Sequence, residues 1–186
     1  VFTPTKETRE DGKAKGKYVT ISQTLNQKEL IAIWAEHLRG ERSLGIVPID
    51  EDNMCVWGAI DIDDYPLDLK GLSKKIKKFK LPLVVTRSKS GGAHIFLFVF
   101  DPVPCSLMQR KLRQISAAIG FGQSEVFPKQ TQLLLERGDR GSPLQMPYFG
   151  GEDSTSYGFS GTGGVLTPKK FLEYCDDVVL TEESLR

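Results

Sequence analysis

Asp61 and Asp63 flank Ile62 at the end of an apolar run, Val56-Trp57-Gly58-Ala59-Ile60. If that run is a strand, alternation puts both carboxylates on one face and Asp64 on the other. Two acids a few ångströms apart repel each other unless they share a proton or a cation. Mg²⁺ is the usual resolution where the acids also face a substrate's phosphates. Acids at a strand end are equally at home in a turn, so the chemistry has to come from what stands beside them.

The next candidate is Thr86-Arg87-Ser88-Lys89-Ser90-Gly91-Gly92-Ala93-His94. Leu83-Val84-Val85 before it and Ile95 to Phe100 after it read as two strands. The hydroxyls of Ser88 and Ser90, the backbone N–H groups of Gly91 and Gly92, and the cations Arg87 and Lys89 together suit an anion. His94, where the second strand begins, can donate to a phosphate oxygen. A plain Gly-Gly hairpin with a packed histidine would show the same letters. Further on, Glu125 heads Val126-Phe127-Pro128, with Lys129 close behind. Its bland alternative is a surface acid on a Pro-bounded edge strand. Leu144 to Gly151 is an apolar segment broken by Pro and Gly.

The motifs Ala59 to Asp63, Arg87 to His94, Glu125 to Gln130 and Gln145 to Phe149, in that order, resemble the archaeo-eukaryotic primase superfamily. The resemblance is closest to its phage and mobile-element branch, which includes conflict-system and CRISPR-associated relatives. His37 to Gly40 leading into Leu44 to Pro48 adds a fifth familiar segment, so the likeness spans roughly Leu25 to Phe171. It implies a template-directed nucleotidyltransferase in which Asp61, Asp63 and Glu125 are catalytic and bind two Mg²⁺ or Mn²⁺ ions. Ser88, Lys89, Ser90, Gly91, Gly92, His94 and Lys129 would hold the nucleotide's triphosphate, with Arg87 a weaker candidate. The implied partners are single-stranded or primer-template DNA, dNTP or NTP, and a fused or associated helicase or accessory priming domain. Two positions depart from the family pattern. Val47 stands where relatives often carry a tyrosine near the sugar, which implies weakened discrimination against ribonucleotides. Ser142 to Gln145 replaces an Asn-containing stretch and puts a local nucleotide or template contact in doubt.

The elements that must position these residues follow from periodicity. Asn26 and Glu29 form a capping box before an apolar stripe of Leu30, Ile33, Trp34 and Leu38, predicting a helix that packs on a sheet and ends at Gly40. His37 on it reads as a satisfied histidine rather than a ligand. Leu44 to Ile49 reads as a strand. Leu69, Leu72, Ile76 and Phe79 form a second helical stripe whose other face carries Lys70, Lys74, Lys75, Lys77, Lys78 and Lys80, a solvated face or a contact for a phosphate backbone. Ser106 and Gln109 look like a capping box for a third helix running to Gly120. Strand, helix, strand, strand, helix, strand over Val56 to Phe127 is a βαββαβ order. The predicted fold is therefore α+β, an RRM-like palm with an N-terminal αβ module. Residues 1–24 are expected as a loose lead-in, 25–55 as the αβ module, 56–150 as the palm, and 151–186 as a Gly/Ser-rich loop and a C-terminal helix from Pro168.

Composition sets outer bounds. With 186 residues, 39% hydrophobic and 26% charged, the chain fits one ordinary globular domain. A net charge of +1 means that any nucleic-acid surface must be local. No stretch approaches the roughly 20 apolar residues of a membrane span. No secretory signal pattern is present, and a chain opening on Val1 reads as an excised piece of a longer protein. Cys55, Cys105 and Cys175 lack metal or disulfide spacing, so buried reduced thiols and a cytoplasmic location are expected. Three other classes share some of these features. A metal-dependent nuclease could use the same acids. A rolling-circle initiator needs paired histidines, whereas His37 and His94 lie far apart. A binding-only RRM needs an RNP1 pattern, which is absent.

Overall fold

The computed structural model describes residues 2–8, 14–21 and 24–186. In chain order the elements are β1 (Phe2–Thr8), β2 (Ala14–Tyr18), α1 (Gln27–Leu38), β3 (Gly45–Ile46), β4 (Met54–Ile62), α2 (Leu69–Lys78) and β5 (Val84–Arg87). They continue as β6 (Ala93–Pro104), α3 (Cys105–Ala118), β7 (Glu125–Phe127), β8 (Leu144–Gln145), β9 (Gly158–Phe159), α4 (Pro168–Asp176) and α5 (Glu182–Leu185).

Mixed helices and antiparallel sheets make this an α+β protein. The central sheet has the order β7-β4-β6-β5-β9, with every neighbouring pair antiparallel. Because β6 lies between β4 and β5, α2 must cross over the sheet to join them. Side chains alternate accordingly. On one face Ile60, Ile62, Val85, Ile95 and Leu97 bury against Leu72 and Ile76 of α2 and Leu107, Met108 and Leu112 of α3. Each such side chain contributes about 1.5–3 kcal/mol by leaving water. On the other face Ala59, Val84, Phe96 and Phe127 meet Leu144, Met146, Tyr148 and Phe171. That second cover stops short of the β4 C-terminal end, which leaves room for polar side chains there.

Several sequence expectations are corrected. Part of the predicted loose lead-in forms an antiparallel hairpin, β1 with β2; its strands are polar, and polarity alone hid them. The Asn26–Glu29 capping box forms as expected, and Gly40 (φ +76°) ends the helix. However, α1 does not lay its stripe on the sheet: Leu30 is 46% exposed, Leu38 40% and Trp34 37%, and only His37 is buried. The helix is instead fastened by His37, whose Nε2 donates to Pro147 O at 2.8 Å while Nδ1 accepts from Leu44 N–H at 3.0 Å. Burial pushes His37 below the usual imidazole range, so it is neutral, as this bonding requires. The Leu44–Ile49 strand shrinks to β3, paired with β8. Strand β6 runs directly into α3, so Pro104 stands at its N-cap and the Ser106–Gln109 box does not form. Gln109 instead donates to Pro128 O and Lys129 O. Pairing also crosses the sequence segments, since β3 joins β8 and β9 joins the central sheet. The three cysteines are buried free thiols. No described helix is long and apolar enough to cross a membrane.

Candidate active site

Asp61 is the last outward acid of β4 before the strand ends. The ladder sets it directly opposite His94 of β6 on one side and Glu125 of β7 on the other. Thr86 of β5 stands opposite His94 in the same row. Register thus brings together residues up to 64 positions apart, from the three motifs that sequence singled out. Thr86 Oγ1 donates to His94 O at 3.1 Å, adding a buried side-chain bond to the β5–β6 pair.

The row sits at a cleft of about 730 Å³ whose lining includes Asp61, His94, Glu125, Lys129, Val47 and Arg140. That is a size suited to a small-molecule ligand. Lys129 Nζ pairs with Glu125 Oε2 at 2.5 Å and lies 4.9 Å above the Phe127 ring. Gln109, by holding the backbone at Pro128 and Lys129, fixes where that ammonium starts.

Electrostatics mark Asp61. Burial, then the charges of Asp63 and Glu125, push its carboxyl up to about 6, with Lys129 opposing. Burial drives His94 down to about 4, against the charge of Asp63 and the Gln145 backbone. The ring is therefore neutral near pH 7, and its Nε2, 3.4 Å from Asp61 Oδ1, meets the acid as an uncharged imidazole. The Gln145 backbone is near enough to favour the cation slightly, yet the buried Nδ1 makes no well-formed hydrogen bond.

The Ser-Gly turn lies beside Asp63 rather than in the cleft wall. Gly91 N–H donates to Ser88 O and Ser88 N–H to Gly92 O, so the turn itself uses part of the backbone expected to face an anion. A Cβ on Gly92 would lie 2.1 Å from Ile62 O, and Gly91 has φ +103°, so both glycines have a structural reason as well. Arg87 spends its Nη1 on Ser88 O and Thr155 O, which buttresses the turn. Lys89 and Ser90 are exposed at its tip. Tyr65, which sequence reasoning missed, connects the parts: its hydroxyl donates to Asp63 Oδ1 at 2.9 Å and lies 2.8 Å from Ser90 Oγ. Ser90 is in turn 3.2 Å from Ser88 Oγ.

The family model for the archaeo-eukaryotic primase domain of the TOTE conflict system matches residues 2–156. The chain belongs to this family. No curated protein sequence matches it. As an archaeo-eukaryotic primase domain it falls among primase-like nucleotidyltransferases, whose substrates are nucleic acid and nucleotides. Primase domains of this kind generally use divalent metals. Among the described residues no three His, Cys, Asp or Glu side chains are already gathered around one point, because Glu125 turns to Lys129 and Asp63 to Tyr65. The donor set nevertheless fits a hard cation: carboxylate oxygens on two adjacent strands, one of them destabilised by its acidic neighbours in a way that a cation relieves. The departures at Ser142 and Gln145 have local partners, since Ser142 and Gln130 exchange hydrogen bonds and Gln145 donates to Ser43 Oγ.

Proposed function

We propose that this domain is a primase-polymerase that adds nucleotides to a 3′-hydroxyl under the direction of a DNA template. The observation that carries the reading is the in-register row Glu125–Asp61–His94 lining the cleft, with Lys129 beside it, in a chain of this family. The strand order β7-β4-β6-β5 supports reading the sheet as an RRM-like palm, with the acids at the end of its first strand. Asp61, Asp63 and Glu125 would hold two Mg²⁺ or Mn²⁺ ions. Ions held there would supply Lewis acidity, favouring ionisation of the attacking hydroxyl and offsetting charge on the phosphates. The remaining work is positioning, which is most of what phosphoryl transfer asks of a protein. Lys129 and the neutral His94 N–H hold phosphate oxygens; Ser88, Ser90, Lys89 and the Gly91-Gly92 turn steady the triphosphate from the Asp63 side. Val47 presents a small side chain to the cleft where an aromatic would crowd a ribose 2′-hydroxyl. Comparable incorporation kinetics for dNTP and NTP are the expected outcome, and strong exclusion of ribonucleotides counts against this role.

The test is extension of a labelled primer with Mg²⁺ or Mn²⁺ and either nucleotide set, alongside an unprimed single-stranded template. Asp61→Ala should lower extension roughly 100-fold or more while leaving the melting transition intact. Wild-type extension by that variant overturns the assignment. Metal-dependent shortening of the label would show a nuclease instead.

A further inference from the structure

We propose that the outer face of α2, closed by Phe79, is a second nucleic-acid surface that holds single-stranded template behind the sheet, away from the acids. It rests on the polymerase reading for its purpose, though not for its chemistry.

Three observations carry it. The first is charge. Lys70, Lys74, Lys75, Lys77 and Lys78 lie on α2, Lys80 follows, and the helix holds no Asp or Glu. Beside it α3 carries Arg110, Lys111 and Arg113, again with no acid. Both helices pack on the same face of the sheet, opposite the catalytic row, and Lys75 Nζ ties them by donating to Ile119 O at 3.1 Å. The whole chain has a net charge of only +1, so this face is a local concentration and not a sample of a basic protein. Among the described residues none of these cations has an ion-pair partner.

The second is how the stems lie. A Cβ on Gly161 would sit 2.9 Å from Lys77 Cγ and Cδ, and one on Gly163 3.3 Å from Lys70 Cβ and Lys74 Cε. The glycine-rich loop is therefore a smooth bed against which the aliphatic stems rest, while Lys70, Lys74 and Lys77 stay exposed. Resting stems lose less freedom when a phosphate is bound.

The third is Phe79. Sequence periodicity places it in the buried stripe, yet it is 58% exposed, between Lys78 and Lys80. A bare aromatic ring among cations matches what a single strand offers, a base to stack and phosphates to neutralise. A duplex keeps its bases stacked inside and has no use for the ring. An anionic membrane would also attract the lysines, but the apolar stripe of α2 is buried in the core and leaves one ring to insert, too little for an interfacial helix.

The experiment measures binding of a labelled oligothymidylate and of a labelled hairpin duplex to the whole chain across a salt series. The triple variant Lys74→Gln, Lys78→Gln, Arg113→Gln should weaken single-strand binding about tenfold or more at low salt. It should also flatten the salt dependence by roughly two log units per log unit. Phe79→Ala should weaken single-strand binding about fivefold or more and leave duplex binding unchanged. A control with the same net charge, Lys28→Gln, Lys169→Gln, Lys170→Gln, should stay within about twofold of wild type. Equal losses in both triple variants, no loss in either, or a Phe79→Ala effect shared by the duplex would overturn the proposal. So would loss of binding to phosphatidylserine vesicles with oligonucleotide binding untouched. If wild-type protein fails to extend primers while the binding pattern holds, the polymerase reading fails and this surface stands; extension with unmoved binding gives the reverse.

Discussion

The Tyr65 hydroxyl has one proton and two oxygens within reach. A carboxylate accepts and cannot donate, so the proton goes to Asp63 Oδ1, and the contact with Ser90 Oγ is completed by the serine's own proton. The result joins an acid proposed to bind metal to the turn proposed to hold phosphates. Tyr65→Phe keeps the ring, which lies near Gly91, and removes only the hydroxyl. Because Tyr65 is exposed, stability should change by less than about 1 kcal/mol, while kcat/KM for nucleotide should fall about tenfold. Steady-state extension at varied nucleotide checks this, and an unchanged kcat/KM would show Tyr65 to be a bystander. The contrast with Asp61 and Asp63 shows what a sequence exposes. The expectation of a shared face follows from the two-residue strand period, and β4 itself ends at Ile62, one residue before Asp63. Tyr65 meets Ser90 across 25 positions of chain, and no local pattern encodes a meeting of that kind. Glu125 lay between the two cases: its identity was legible, but its place opposite Asp61 needed the ladder.

Among the elements, β4, β6, α2 and α3 were legible because each is long and keeps its period. The short ones were not: β8 and β9 have two residues each, too few to show alternation, and exist because a neighbouring strand accepts them. Phe79 failed for a related reason. Its spacing continues the α2 stripe, but the helix ends there and Phe79 becomes the C-cap, pointing off the buried face. The join between β4 and β6 is tighter than either strand requires. Gly92 passes so close to the end of β4 that an added Cβ would lie 2.1 Å from Ile62 O, a backbone atom that cannot step aside. Gly92→Ala must therefore push the turn away from β4, at a cost of about 1–3 kcal/mol. Since the displaced turn carries Ser90 and opens into His94, the apparent KM for nucleotide should rise more than kcat falls. Urea titration and extension kinetics measure the two effects. Stability like wild type together with an unmoved KM would show that the turn tolerates the methyl and that its close approach does not matter.

For the molecule as a whole, the cleft needs walls, and the one that α1 supplies is held by little apolar packing. Trp34 and Ile33 of α1 line that wall, yet the helix buries only His37. The position of the wall thus depends on two hydrogen bonds made by one neutral ring, to Pro147 O and from Leu44 N–H. Protonation would turn Nδ1 from an acceptor into a donor aimed at another donor. Because burial lowers the pKa of His37 in the folded protein, the unfolded chain takes up the proton first as pH falls. Its contribution to stability is therefore complete above about pH 6.5, the ordinary imidazole value, and is lost progressively as pH drops from there through the folded pKa. His94, lowered to about 4, adds a loss of the same sign, so the difference between wild type and a variant isolates the His37 part. His37→Ala should cost about 2–4 kcal/mol near pH 7.5 and then lose less further stability than wild type between pH 7.5 and 5.5. Urea unfolding at the two pH values supplies all four numbers. Parallel losses in wild type and variant would mean that the ring carries no acid-sensitive load, and that α1 is held by its contacts with the cleft residues instead.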